Sequence, residues 1–131
     1  MKYQELTNKI IDAVYTVHNT LGFGFLEKVY QNALAIELAK RGIKADSEKP
    51  IKVFYEGQVV GDYVSDVVVD DKVILELKAV KELNDIHEVQ LVNYLKATGM
   101  EVGLLINFGP SVKIKRKVFD RPRGLDDTGQ K

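Results

Sequence analysis

The chain has no cysteine, no tryptophan, three prolines and two histidines among 131 residues. Without cysteine there is no disulfide framework, no thiolate metal site and no thiol nucleophile. His18 and His87 have no second His or Cys at ligand spacing, which excludes the usual zinc patterns. Net charge is missing as well. Nineteen basic and nineteen acidic residues cancel, so no global field draws the chain onto nucleic acid. No apolar run approaches the roughly 18 residues of a spanning helix, and the polar start MKYQELTNKI does not read as a secretory leader. Gly22-Phe23-Gly24 lacks the third glycine and the preceding strand of a phosphate loop. No serine sits in a nucleophile-elbow setting. The expectation is a reducing, cytoplasmic setting with no membrane partner.

What is present describes a globular chain. An apolar content of 45% and a charged content of 29% suit a soluble domain with a real core. The length suits one domain, expected over 1–119, with a flexible tail over 120–131 where Pro122, Gly124 and Gly129 interrupt any pattern. Ile10, Ile11, Val14, Val17 and Leu21 recur at helical steps and predict a helix over 5–20. Val29, Ala33, Leu34 and Leu38 predict a second over 26–41, stopped by Gly42. The period then becomes two. Ile51, Val53 and Tyr55 alternate, Glu56-Gly57 reads as a turn, and strands are expected over 59–69 and 72–80. A third helix over 85–98 ends at Gly99, and strands over 102–107 and 112–119 complete the order ααβββαββ. That order gives an α/β or α+β sandwich with a mixed sheet.

The chemistry concentrates in YVSDVVVDDKVILELKAV, where nine residues separate Asp66 from Glu76-Leu77-Lys78. Two carboxylates and an ammonium are what a metal-dependent phosphodiesterase needs, provided both acids leave one face of the hairpin. Register decides this, because a one-residue slip sends every side chain to the other face. A two-residue loop at Asp70-Asp71 would pair Asp66 with Leu75 and separate the acids. A three-residue loop, Asp70 to Lys72, would set Asp66 opposite Glu76, with Cβ atoms about 4.5–5.5 Å apart. The alternative is that both acids are ordinary strand-surface charges. The flanking VVV and VILEL argue for buried strands, where a charge usually has a partner.

Other residues carry two readings each. Glu27 and Tyr30 share a helix face after the GFG turn; alone, Glu27 is a solvated acid favoured by the helix dipole and Tyr30 a core-edge aromatic. His87, Gln90 and Tyr94 line one face of the third helix, where the Gln90 amide could position water or substrate. Lys113, Lys115, Arg116, Lys117, Arg121 and Arg123 form the one basic concentration, with the first four the candidate nucleic-acid contacts. It suits phosphate contacts, and equally an edge strand protected by lysines.

Taken in order, these blocks resemble the GxxExxY proteins, grouped with the PD-(D/E)XK nuclease-like superfamily. Gly24-Phe25-Leu26-Glu27-Lys28-Val29-Tyr30 matches the naming motif. Asp66, Glu76-Leu77-Lys78, the run from His87 to Leu95 and the run from Gly103 to Phe108 match later blocks over roughly residues 5–118. The resemblance implies a restriction-endonuclease-like α/β (α+β) core, a mixed central sheet flanked by helices. It implies Asp66 and Glu76 as ligands of Mg²⁺ or Mn²⁺, with Glu27 through water and the Leu77 carbonyl. It also implies Lys78 as activator of water, with Gln90 an auxiliary polar residue and Tyr30 part of the motif's candidate catalytic set. Ser65 stands where the superfamily name has Pro. The implied function is Mg-dependent nuclease chemistry on nucleic acid, in a possible homodimer. The alternative is an inactive module on the same scaffold that binds nucleic acid, nucleotide or a protein partner.

Overall fold

In the computed structural model, which describes residues 2–120, three helices flank a five-stranded sheet. Two helices come first, α1 (Gln4–Leu21) and α2 (Glu27–Lys40). Strands β1 (Ala45–Tyr55), β2 (Gln58–Val69) and β3 (Val73–Lys78) follow, then α3 (Asp85–Thr98), β4 (Val102–Phe108) and β5 (Val112–Val118). The sheet order is β1-β2-β3-β4-β5. Only the β3–β4 pair is parallel, because α3 is the crossover between them; the other pairs are antiparallel hairpins. The expected ααβββαββ order and the mixed sheet are both found.

Each sheet face has its own apolar layer. Ile10, Val14, Leu34 and Leu38 of α1 and α2 pack on Val67, Val69, Leu75, Leu77 and Ile106. On the opposite face, Leu91 and Leu95 of α3 pack on Val68, Ile74 and Leu105. The odd-even split along β3 follows from strand alternation, and it puts Glu76 and Lys78 on the α3 side with Ile74. Leu34 and Leu38 are fully buried. Truncating either to Ala would cost about 2–5 kcal/mol.

The β2–β3 loop has three residues, since Val69 pairs with Val73, Val68 with Ile74 and Val67 with Leu75. Asp70 and Asp71 both have φ of 53°, a left-handed turn that Asp tolerates better than most residues. The Lys72 N–H closes it on the Val69 carbonyl at 2.9 Å. Continuing this register sets Asp66 opposite Glu76.

Several boundaries differ from the sequence expectation, most of them by one residue. β1 begins at Ala45, before the visible alternation starts at Ile51. An edge strand accepts Pro50 and a left-handed Glu48 (φ 58°), and neither leaves a period-two trace. β3 stops at Lys78 rather than Val80, because the Asn107 side chain takes both the Val80 N–H (3.0 Å) and the Val80 carbonyl (2.9 Å) in place of a strand partner. β5 ends at Val118 rather than Phe119. Most of the tail expected over 120–131 lies outside the described residues.

Candidate functional site

The outer half of β2 pairs with β1 alone, while its end from Val67 onward also pairs with β3. Asp66 stands where the two regimes meet, at the last point where β2 still reaches β3. Its Oδ2 accepts the Leu77 N–H at 2.8 Å, so the side chain continues the contact that the backbone ladder gives up. Its carbonyl accepts the Gln31 Nε2 at 3.1 Å. Gln31 lies one turn after Glu27 on α2 and is buried, so this bond fixes the helix face that carries Glu27 over Asp66.

Tyr30 fixes the other side of that helix start. It is fully buried among the α1–α2 layer, stacked on Phe108 with ring centroids 4.6 Å apart. Its hydroxyl donates to the Gly22 carbonyl at 2.5 Å and accepts the Phe25 N–H at 3.4 Å. Tyr30 therefore closes the glycine turn that launches α2. The Tyr30 hydroxyl is engaged by backbone, and Tyr30 is not among the groups that shift the three carboxyls.

The carboxylates are coupled. Burial first, then the Asp66 and Glu27 carboxylates, push the Glu76 carboxyl up to about 8, against the opposing pull of Lys78. Asp66 is raised by burial, offset by the Leu77 N–H and by Lys78. Glu27 is raised by burial too, with Lys78 lowering it, Asp66 raising it and His87 lowering it. Three acids that feel one another and one shared ammonium thus occupy a single neighbourhood. Glu76 is 9% exposed, and its Oε1 is buried without a hydrogen-bond partner. Such an oxygen costs on the order of 1–3 kcal/mol or more until something satisfies it.

α3 covers this group. Asn84 caps the helix through the Ile86 N–H (3.1 Å), and the Asn84 N–H donates to His87 Nδ1 at 3.3 Å. His87 influences Glu27, while the raised hydroxyl pKa of Tyr94 reflects burial and then the charge of Glu76. Gln90 lies between them at steps of three and four, so the exposed amide stands on the helix face turned to the carboxylates.

Asp66, Glu76, Lys78 and Glu27 thus act on one another through their charges, Leu77 joins Asp66 through its backbone N–H, and Gln90 lies on α3 between His87 and Tyr94. The basic segment is divided. The Arg116 guanidinium binds the Lys2 carbonyl (2.5 Å) and Thr7 Oγ1 (3.2 Å), and Lys117 pairs with Glu88 at 2.6 Å. Lys113 and Lys115 stay exposed. Lys113 pairs with Asn107 and Asn107 with Lys78, which places both lysines in one row across the sheet. Sequence reasoning missed Gln31 and Asn107. Both act on backbone far away in the chain, and the one local hint for Gln31 is its position four residues after Glu27.

A family model described as the PD-(D/E)XK nuclease superfamily matches residues 4–118. The chain belongs to the PD-(D/E)XK nuclease superfamily. The match is at superfamily level, and the narrower GxxExxY name stays a resemblance of motifs. Among solved structures, the crystal structure of SSO0001 is similar to this superfamily member, with a TM-score of 0.57 and 19% identity. That alignment covers 91% of this chain and 61% of the other, so this chain spans less than two thirds of that protein's length. At this identity the likeness concerns the fold, which agrees with a restriction-endonuclease-like core. No curated protein matches the chain.

PD-(D/E)XK nucleases typically use divalent metals. Among the described residues no three His, Asp or Glu side chains converge tightly enough to form a ready-made metal cluster. The donor set nevertheless fits a hard cation. Two carboxylates in one place and a buried, unpartnered Glu76 oxygen suit an ion such as Mg²⁺, which keeps several waters and needs one or two carboxylates. No helix among the described residues is long and apolar enough to cross a membrane.

Proposed function

We propose that the chain hydrolyses phosphodiester bonds of nucleic acid with Mg²⁺ or Mn²⁺, using the group around Glu76. The observation that carries this reading is the buried Glu76 carboxylate, held beside Asp66 with an unpartnered oxygen and Lys78 two residues on. Burying like charges together is costly, and a cation is the simplest compensation. Asp66 and Glu76 would hold the ion, with Glu27 joining through water and the Leu77 carbonyl as backbone donor. When bound, the ion supplies an acidified water and neutralises charge on the phosphate.

The chain's own residues do the rest. Lys78 orients the attacking water and donates to the phosphate oxygens as charge develops. Gln90 holds the water or the phosphate from the α3 side, and the Gln31–Asp66 bond keeps Glu27 in place. The open side, toward Glu27 and Gln90, admits the substrate strand.

The test is cleavage of labelled DNA and RNA oligonucleotides with Mg²⁺ or Mn²⁺, for the wild type, Asp66→Ala and Lys78→Ala. Metal-dependent products should appear with the wild type alone. Cleavage that survives in either variant would end the proposal.

A further inference from the structure

The border of the carboxylate group carries exposed aromatic side chains that the chemistry above leaves idle. Phe25 is 47% exposed and lies two residues before Glu27. Its ring stands edge-on to Tyr30, with centroids 6.2 Å apart, and its backbone N–H is held by the Tyr30 hydroxyl. It is therefore anchored and yet open. On the hairpin side, Tyr63 is 49% exposed, and its ring centroid is 5.9 Å from that of Tyr94, the residue coupled to Glu76 and Asp66. One aromatic surface thus lies in the turn just before Glu27, and another lies on β2 beside Tyr94.

Several of the nearby cations are already engaged. Lys28 is tied to Glu48, Lys117 to Glu88, and Arg116 to the Lys2 carbonyl and Thr7. Among the described residues, Lys78 and Lys113 form no ion pair, and they share one row on the carboxylate side of the sheet. Duplex binding rests mainly on many phosphate contacts. Single strands are gripped differently, by a few cations along the backbone and by aromatic faces on which unpaired bases stack. Inside a duplex those base faces are already stacked and out of reach.

Resting on the nuclease reading of this site, we propose that its substrate is single-stranded nucleic acid, with bases next to the reacting phosphate stacked on Phe25 and on Tyr63. Lys113 takes a phosphate farther along the strand, in line with Lys78. The aromatic surfaces read the absence of pairing rather than a base sequence.

The experiment measures binding of the full chain to fluorescently labelled oligonucleotides by anisotropy, with Ca²⁺ in place of Mg²⁺. Single-stranded DNA, single-stranded RNA and the matching duplexes are compared. At least one single strand should bind about tenfold or more tightly than its duplex. Phe25→Ala and Tyr63→Ala should each weaken single-strand binding by roughly five- to a hundred-fold. Phe25→Trp and Tyr63→Phe should retain it. Variants that keep the native circular dichroism spectrum and bind like the wild type would overturn the proposal, as would equal or tighter duplex binding. So would a concentration-dependent dimer that binds no oligonucleotide. The two readings fail separately. Stacking-dependent binding without cleavage in any metal supports this surface and removes the nuclease reading. Undiminished duplex cleavage by both alanine variants keeps the nuclease reading and removes this one.

Discussion

Replacing Glu76 by Gln should make the metal-free protein more stable in alkali while removing its capacity for a cation. The carboxyl has an ordinary value of 4.5 and is held at about 8 in the native state by burial, Asp66 and Glu27. Between those values the native chain keeps a proton that the unfolded chain has released, so native stability falls as pH rises. The contribution of this one group is fully present below about 4.5 and gone above about 8. At roughly 1.4 kcal/mol per pH unit, the loss is of order 3–5 kcal/mol. Glu76→Gln keeps the shape and removes the titration. Urea unfolding at pH 5 and pH 9, without divalent ions, should show near-equal stabilities at pH 5 and a variant more stable by several kcal/mol at pH 9. Adding 100 Kd of Mg²⁺ at pH 9 should return about 2.7 kcal/mol to the wild type and nothing to the variant. A stability difference that is the same at both pH values would refute the reasoning, because Glu76 would then not be a buried, charge-burdened carboxyl.

Other consequences are more local. Tyr30→Phe removes the hydroxyl that bridges the Gly22 carbonyl and the Phe25 N–H; it should cost about 1–2 kcal/mol in chemical denaturation, and a larger loss in kcat than in stability would contradict its positioning role. Gly103→Ala should destabilise by about 1–3 kcal/mol, since an added Cβ would lie 2.7 Å from Leu91 Cδ1; an unchanged Tm would show that α3 yields freely. Asp71, held down to about 2 by Lys49 and Lys44, contributes stability that is present above its ordinary value of 3.8 and lost as pH falls through about 2. Carbon-13 NMR should find its titration there in low salt and nearer 3.8 in high salt.

The sequence carried the local and periodic features of this chain well. Apolar steps in α1 and α2 and the alternation in β5 report which face is buried, and Gly22, Gly42 and Gly99 mark helix ends. The hairpin register was legible as a condition: a three-residue loop sets Asp66 against Glu76, and the structure has that loop. The start of β1 was hidden because Pro50 and Glu48 suit an edge strand that no alternation announces. The roles of Gln31 and Asn107 were hidden because each reaches backbone in a remote segment. His87 was placed on the right helix face, but its capping of Asn84 and its influence on Glu27 depend on how α3 sits over the sheet. The bond from the Tyr30 hydroxyl to the Gly22 carbonyl was hidden as well, because it depends on how the glycine turn folds back.

The most direct test of the central claim is a crystal of the protein soaked in Mn²⁺, with anomalous differences recorded at pH 8. One peak at about 2.1 Å from carboxylate oxygens of both Asp66 and Glu76, absent from Glu76→Gln crystals, is the expected result. No peak at these two residues, or a peak held elsewhere while Glu76 Oε1 stays unpartnered, would contradict it.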